Sequence, residues 1–435
     1  MTPDSFALSR RALLGNAALL AGLAATPRLA FAAPLPETRF PNVTALVDGY
    51  VTGRKVPGML ATIGFGEDAP TIIARGREGF ADADSINQDT LFRVYSMTKP
   101  VTGMAAMILI DEGKLKLDQP LADILPKFAR MQVQATPDGS LTALRPAARP
   151  ITIRNLLTHT AGLGYSIVQK GPIKAAYEAA GVVPGQISKI PIPGLGRGTA
   201  VNSLALFADR LAALPLVYQP GTRWSYSVAL DLMGRVIEVV SGQPFDAFLK
   251  DRLFDPMGMT SSFFQVPASE LHRLATNYGI LGQMPVPIDP AEASIFADKP
   301  PFPMGGAGLV SSPRDYDRFM KMVANLGVLD GKRIMTESAV RMGTSNLLPS
   351  GADIRGSFAE GAGFGAGGRV GLGDAAGTYG WGGAAGTVAI MDVKRHMCAG
   401  LFTQYMPSEA YPVHRDFPNA VLADLKALAT AKRAA

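Results

Sequence analysis

Strand-like apolar runs stand near both ends of this chain, while the long middle between them carries helical patterns. Residues 59–65 and 71–74 flank Gly66-Glu67-Asp68-Ala69-Pro70, whose turn-forming composition marks a hairpin. Far along the chain, residues 386–393 and 397–404 bracket Lys394-Arg395 in the same way. Runs so distant complete one core only if the chain returns on itself. We therefore expect one composite sheet built from both ends, with a helical region inserted. Hairpins, not crossover helices, join the strands, so the sheet should be largely antiparallel.

The rest of the pattern fills in that frame. A short amphipathic helix is expected over 41–53, and an apolar helix over 96–112 ends at Gly113, a residue suited to helix stops. Pro137-Asp138-Gly139 lies between alternating residues and suggests a small excursion hairpin over 131–145. Helices are expected over 152–158, 200–214, 228–241, 244–253 and 313–325. The last opens with Ser312-Pro313, a capping residue and a first-turn proline. Gly and Pro punctuate 163–199, which reads as a long loop or lid. A final helix covers roughly 416–430. With no internal repeat and no separating linker, residues 38–430 read as a single α/β (α+β) unit. Its sheet part covers about 38–98 and 345–430, and its helical insertion about 99–344.

Composition removes other possibilities. Glycine and proline number 47 and 33 among 435 residues. Their share exceeds the usual ~12% but stays below the ~25–30% of low-complexity disorder, so the chain is folded and loop-rich. One cysteine, Cys398, excludes an intramolecular disulfide. Four scattered histidines with no His-x-x-x-His spacing leave no metal site to expect. The formal charge of +6 is reduced once residues 1–32 are set aside, since 39 basic and 35 acidic residues remain. No dense Lys/Arg run with interleaved aromatics occurs, so no nucleic-acid partner is expected.

The first 32 residues read as an export signal. Ser9-Arg10-Arg11-Ala12-Leu13-Leu14 opens an uncharged stretch that lasts until Arg28, and Ala30-Phe31-Ala32 offers a small-x-small cleavage site. That stretch is too short and too weakly apolar for a stable span of ~20 residues. The paired arginines are of twin-arginine type, with an ordinary secretory signal as the alternative. The processed protein is expected to start near Ala33, to lack a stable membrane span, and to work in the periplasm or as a secreted protein.

Chemistry is concentrated at Ser96-Met97-Thr98-Lys99. A spacing of three places Ser96 and Lys99 on one helical face. At a helix N-terminus the backbone N–H groups point outward and the macrodipole is positive. That favours an anion on a substrate oxygen and, with burial, disfavours a charged ammonium at Lys99. A neutral Lys99 could take the proton of Ser96 and activate it as a nucleophile. With 22 serines and 15 lysines, however, chance alone supplies about 0.8 such pairs. The pair needs its context.

Three further motifs supply it. Leu156-Leu157-Thr158-His159-Thr160-Ala161-Gly162-Leu163 comes next, then Pro220-Gly221-Thr222-Arg223-Trp224-Ser225-Tyr226-Ser227, then Tyr379-Gly380-Trp381-Gly382-Gly383-Ala384. This ordered set, from about residue 40 to about 430, resembles the serine β-lactamase and penicillin-binding superfamily, most closely the family VIII carboxylesterases. The resemblance implies a β-lactamase-like fold, with terminal helices flanking the sheet, and no cofactor. It makes Ser96 the nucleophile, Lys99 its general base, and Tyr226 a proton relay between Ser96, Lys99 and the leaving group. Trp381, Gly382 and Gly383 would line the substrate cleft from a strand, and the backbone N–H groups of Ser96 and Ala384 would form the oxyanion hole. His159 matches a packing position, and Gly305-Gly306-Ala307-Gly308 a close-packed turn. Trp224 is open between core packing and cleft lining, while His272, His396 and His414 read as surface residues.

Two departures bear on substrate. Similar lactamases have Tyr-x-Asn where this chain has Tyr226-Ser227-Val228, and Lys-Thr-Gly where it has Trp381-Gly382-Gly383. The missing lysine would hold a carboxylate through charge-assisted bonds. Trp381 offers an apolar face and one donor instead. The expected activity is hydrolysis of small-molecule carboxylic esters of short to medium acyl chain through a Ser96 acyl-enzyme. A β-lactamase or D-alanyl-D-alanine carboxypeptidase is the alternative enzyme. A non-catalytic cell-envelope binding protein is the alternative of another class, against which the intact Ser96, Lys99 and Tyr226 count. Oligomeric state is not legible in the sequence.

Overall fold

The computed structural model describes residues 36–183, 185–190 and 199–434. The export-signal reading of residues 1–32, and the expected start near Ala33, lie outside the described residues. Helix α1 (Pro41–Thr52) leads into strands β1 (Gly58–Phe65) and β2 (Thr71–Gly76). Helices α2 (Thr98–Asp111), α3 (Ile153–Leu157), α4 (Gly171–Ala179), α5 (Leu204–Ala212), α6 (Ala229–Ser241), α7 (Pro313–Ala324) and α8 (Glu337–Gly343) follow. The chain then forms β3 (Gly363–Phe364), β4 (Arg369–Val370), β5 (Thr378–Gly382), β6 (Val388–Asp392) and β7 (Met397–Phe402), and ends in α9 (Val413–Ala434).

The two distant hairpins do meet in one sheet. Its order is β3-β4-β5-β6-β7-β1-β2, with every neighbouring pair antiparallel. The join is β1 against β7, with Leu60 opposite Phe402 and Ile63 opposite Ala399. Side-chain alternation on β1 explains why both faces are covered. Met59, Ala61 and Ile63 share a core with Val43 and Val47 of α1 and Phe417 and Val421 of α9. Leu60 instead joins the larger core that holds Phe319 and Met320 of α7. Gly400 lets that helix sit close, because a Cβ there would fall 2.8 Å from Met320 Cε. The terminal helices therefore cover one face and α7 the other.

Several sequence expectations are corrected. The apolar helix does not include Ser96: residues Tyr95–Met97 form a tight 3₁₀ turn, and α2 starts at Thr98. The stretch 163–199 is not one loop, since α4 lies within it; positions 184 and 191–198 of that stretch are outside the described residues. Lys170-Gly171-Pro172 at the start of α4 reads as punctuation, yet proline is favoured in a first helical turn. A further hairpin, Asn277–Leu281 with Met284–Asp289, is not among those the sequence pattern predicts. Pro285 and Pro287 hide it, and they are tolerated because the second strand is the edge of its small sheet. The excursion hairpin is present as Gln132–Gln134 paired with Leu144–Pro146.

A buried ion pair fixes the segment that leads to Ser96. Phe92–Arg93 pairs with Val310–Ser311, which pairs in turn with Ser262–Phe263. Arg93 is fully buried; its Nε donates to Asp289 Oδ2 at 2.7 Å, and Nη2 to the Asp289 carbonyl at 2.9 Å and Ser294 Oγ at 3.1 Å. Nη1 donates to the Ala275 carbonyl at 2.5 Å. Removing one charge leaves the other uncompensated in low dielectric. Arg93→Met is therefore expected to cost about 3–5 kcal/mol in chemical denaturation, and Arg93→Met with Asp289→Leu to recover most of that loss. Equal stability of wild type and Arg93→Met would refute the role.

Candidate active site

The turn that presents Ser96 is conformationally strained. Tyr95 has a φ of +43°, an unusual value for a bulky residue. Its neighbours over-determine it. Val94 N–H donates to the Leu309 carbonyl at 3.0 Å, and Thr98 Oγ1 donates to the Tyr95 carbonyl at 2.6 Å while accepting from Leu309 N–H at 3.1 Å. Ser96 is left partly exposed at the top of α2, and β5 packs against its turn.

Lys99, one turn on, is fully buried. Its Nζ donates to Ser96 Oγ at 3.2 Å and to the Gly306 carbonyl at 2.6 Å. Thr102 Oγ1 holds the adjacent Gly305 carbonyl at 2.7 Å. Gly306 N–H in turn donates to Asp231 Oδ1 at 2.8 Å. Burial raises the Asp231 carboxyl to about 6, opposed by the charge of Lys99 and the Gly306 amide. Lys99 Nζ and the Asp231 carboxylate thus face each other across one peptide unit, that of Gly306. Gly305 to Gly308 is indeed a close-packed turn. A Cβ on Gly306 would sit 2.4 Å from Asp231 Oδ2.

Tyr226 completes the cluster from an irregular segment ahead of α6. Its Oη donates to Ser96 Oγ at 2.7 Å and accepts from Trp381 Nε1 at 3.4 Å. Lys99 Nζ lies 4.5 Å from the centroid of its ring. Trp224 stacks on that ring at 6.1 Å and 13°, and Trp381 leans on it at 5.8 Å. Trp224 is buried, which decides for packing, whereas Trp381 is only partly buried. His159 is a packing residue as well. It is buried against Trp224, Tyr226 and Phe364, with Nδ1 3.0 Å from Ser227 Oγ. Burial first, then the nearby charge of Lys99, pushes its pKa well down, so the ring is neutral. Val228 is fully buried, with its N–H bonded to the Gly164 carbonyl.

The end of β5 forms the opposite wall. Gly383 N–H donates to the Thr387 carbonyl at 2.8 Å, and Gly386 N–H to the Gly383 carbonyl at 3.1 Å, closing a tight turn. Only glycine fits at 383, where a Cβ would fall 2.4 Å from the Val94 carbonyl oxygen. His272, His396 and His414 are exposed, as expected, but His414 also turns Nε2 inward to 3.2 Å from the Thr387 carbonyl. Ser96 and Ala384 are both partly exposed, and neither backbone N–H has a protein acceptor among the described residues. Bonds thus join Ser96, Lys99, Tyr226 and Trp381, while Gly382, Gly383 and Ala384 follow Trp381 along the chain. Sequence reasoning missed Asp231, the Gly306 carbonyl and the inward edge of His414. An acid inside Ala229-Leu230-Asp231-Leu232-Met233 was the available signal for Asp231. Among the described residues no group of three or more His, Cys, Asp or Glu could hold a metal, and no helix is long and apolar enough to cross a membrane.

An antiparallel sheet lies between helical layers and carries a serine bonded to both a lysine and a tyrosine. The chain belongs to the beta-lactamase family, whose model matches residues 43–423. It is 37% identical over 273 residues to protein Rv1367c of Mycobacterium tuberculosis, covering 62% of this chain; the chain spans 63% of the length of that relative. It is 32% identical over 312 residues to esterase EstB of Burkholderia gladioli, covering 66% of this chain and 71% of that one. The fold is similar to that of EstCE1, described as a hydrolase with promiscuous acyltransferase activity. The TM-score there is 0.71 at 24% identity, over 89% of this chain and 99% of the other.

Proposed function

We propose that this protein hydrolyses uncharged carboxylic esters of short to medium acyl chain through an acyl-enzyme at Ser96. One observation carries the proposal: Lys99 Nζ and Tyr226 Oη both lie within hydrogen-bond distance of Ser96 Oγ. Ser96 Oγ attacks the ester carbonyl and gives its proton to the Lys99 amine. The tetrahedral oxyanion is held by the backbone N–H groups of Ser96 and Ala384, each such donor contributing ~10²–10³ in rate. The carbon–oxygen bond breaks as the alkoxide takes a proton through the Tyr226 phenol, and the alcohol leaves. Water then attacks the acyl carbon and gives a proton to the same basic groups; the bond from the acyl carbon to Ser96 Oγ breaks, Oγ takes that proton back, and the carboxylic acid leaves. The names of the EstB and EstCE1 relatives support an ester substrate, and so does Trp381 in the place of a carboxylate-binding lysine. The catalytic unit is residues 38–430, with the insertion at about 99–344, and it works outside the cytoplasm after loss of residues 1–32.

The test compares p-nitrophenyl esters with a chromogenic cephalosporin. Esters are expected to exceed the cephalosporin by at least ~10²-fold in kcat/KM, equivalent to ~2.7 kcal/mol of discrimination in the transition state. That is the scale of one lost charge-assisted contact. A fluorophosphonate should label the peptide containing Ser96, and Ser96→Ala should abolish labelling and turnover together. Equal or faster cephalosporin turnover would restore the lactamase reading. Absence of labelling would favour a non-catalytic binding protein.

A further inference from the structure

The segment 349–362 lies against the stretch that carries Tyr226. Asp353 N–H donates to the Thr222 carbonyl at 2.8 Å, and Trp224 N–H to the Asp353 carbonyl at 2.9 Å. The Asp353 carboxylate accepts from Arg223 at 3.2 Å and from Arg355 Nε at 2.8 Å. Ser357 Oγ donates to the Ile354 carbonyl at 2.6 Å and accepts from Ala359 N–H at 3.1 Å. Ala359 is fully buried and Ala362 nearly so. This backbone is docked, not loose.

Against that docked backbone, Phe358 points outward. It is 61% exposed, although the residue after it is buried completely. Its ring stands edge-on to Tyr226, with centroids 6.0 Å apart at 89°, and edge-on to Trp224 at 6.3 Å and 88°. Held so, the ring offers its apolar surface to solvent beside the phenol that touches Ser96. Its exposed apolar surface is thereby available to the apolar group of a ligand bound beside the Tyr226 ring. The charges nearby do not compete for an anion: Arg223 and Arg355 are both paired with Asp353, and Glu360 Oε2 accepts from Gly356 N–H at 3.1 Å.

We propose that Phe358 forms an apolar subsite at the mouth of the cleft, which takes the uncharged hydrocarbon group of the ester, aliphatic or aromatic. The inference rests on the ester-hydrolase reading and names the substrate class within it. Contact with such a ring discriminates longer chains from shorter ones, and one methylene in an apolar pocket is worth 10- to 200-fold at most.

The experiment uses two ester series on wild type, Phe358→Ala and Phe358→Leu. One varies the acyl group from acetyl to hexanoyl on p-nitrophenol; the other varies the alcohol on a constant acetyl group. The expected result in Phe358→Ala is a fall of about tenfold in the kcat/KM ratio of longest to shortest substrate, in the series whose variable group meets the ring. Phe358→Leu should retain most of that ratio. Fluorophosphonate labelling of Ser96 in each variant shows that the site is folded. Active wild type with unchanged ratios for Phe358→Ala in both series would overturn the subsite alone. Wild type that cleaves no ester would overturn the hydrolase reading and the subsite with it.

Discussion

Lys99→Ala is expected to lower ester turnover by at least ~10⁴-fold, and Lys99→Arg is expected not to restore it. Among the described residues two groups bond to Ser96 Oγ, and Lys99 is the basic one. A general base typically contributes ~10²–10⁴ in rate, and here the same amine also orders Gly306 and Tyr226. Arginine keeps the charge but cannot deprotonate, and its planar fork does not fit a fully buried position built for a single amine. Lys99→Ala also leaves Asp231 buried without a cation, so a folding control is needed. Near-UV circular dichroism of each Lys99 variant supplies it: the spectrum should be retained while fluorophosphonate labelling of Ser96 is lost. Substantial turnover by Lys99→Arg would sink the assignment, since no neutral base could then act from that position.

The legible parts of this fold are those in which a local pattern and the final packing agree. Residues 59–65 form a nearly continuous apolar run because both faces of β1 are covered by helices, and α7 carries its cap and proline in its own sequence. The motif singles out Ser96, but the local geometry around it was not legible. Tyr95 adopts a positive φ that no propensity favours, because the Arg93 network and Leu309 hold the turn from residues some two hundred positions away. The same distance hides the Lys99–Gly306–Asp231 chain, in which the central partner is a peptide group and has no side chain to read. The hairpin over Asn277–Leu281 and Met284–Asp289 was missed because its prolines argue against a strand unless the strand is known to be an edge.

Tyr226→Phe is expected to lower kcat by ~10²–10⁴, with little change in KM, because it removes a proton and leaves the ring. The ring is fixed independently of the hydroxyl. Trp224 stacks on it at 6.1 Å, and His159, Tyr165 and Trp381 surround it at centroid distances of 5.0–5.8 Å. Phenylalanine should therefore keep the cleft and its substrate contacts, and lose only the bond to Ser96 Oγ and the acceptor for Trp381 Nε1. Trp381→Phe provides the comparison. It keeps an apolar wall but removes the donor 3.4 Å from the phenol, so its effect should be smaller than that of Tyr226→Phe and should fall mainly on KM. If Tyr226→Phe kept near-normal kcat, the phenol would be a packing group, and the leaving alcohol would have to take its proton from Lys99 directly. The two groups reach Ser96 from different elements, Lys99 from α2 and Tyr226 from the segment ahead of α6, so each bond to Ser96 Oγ can be removed on its own. Either role can fail while the other stands.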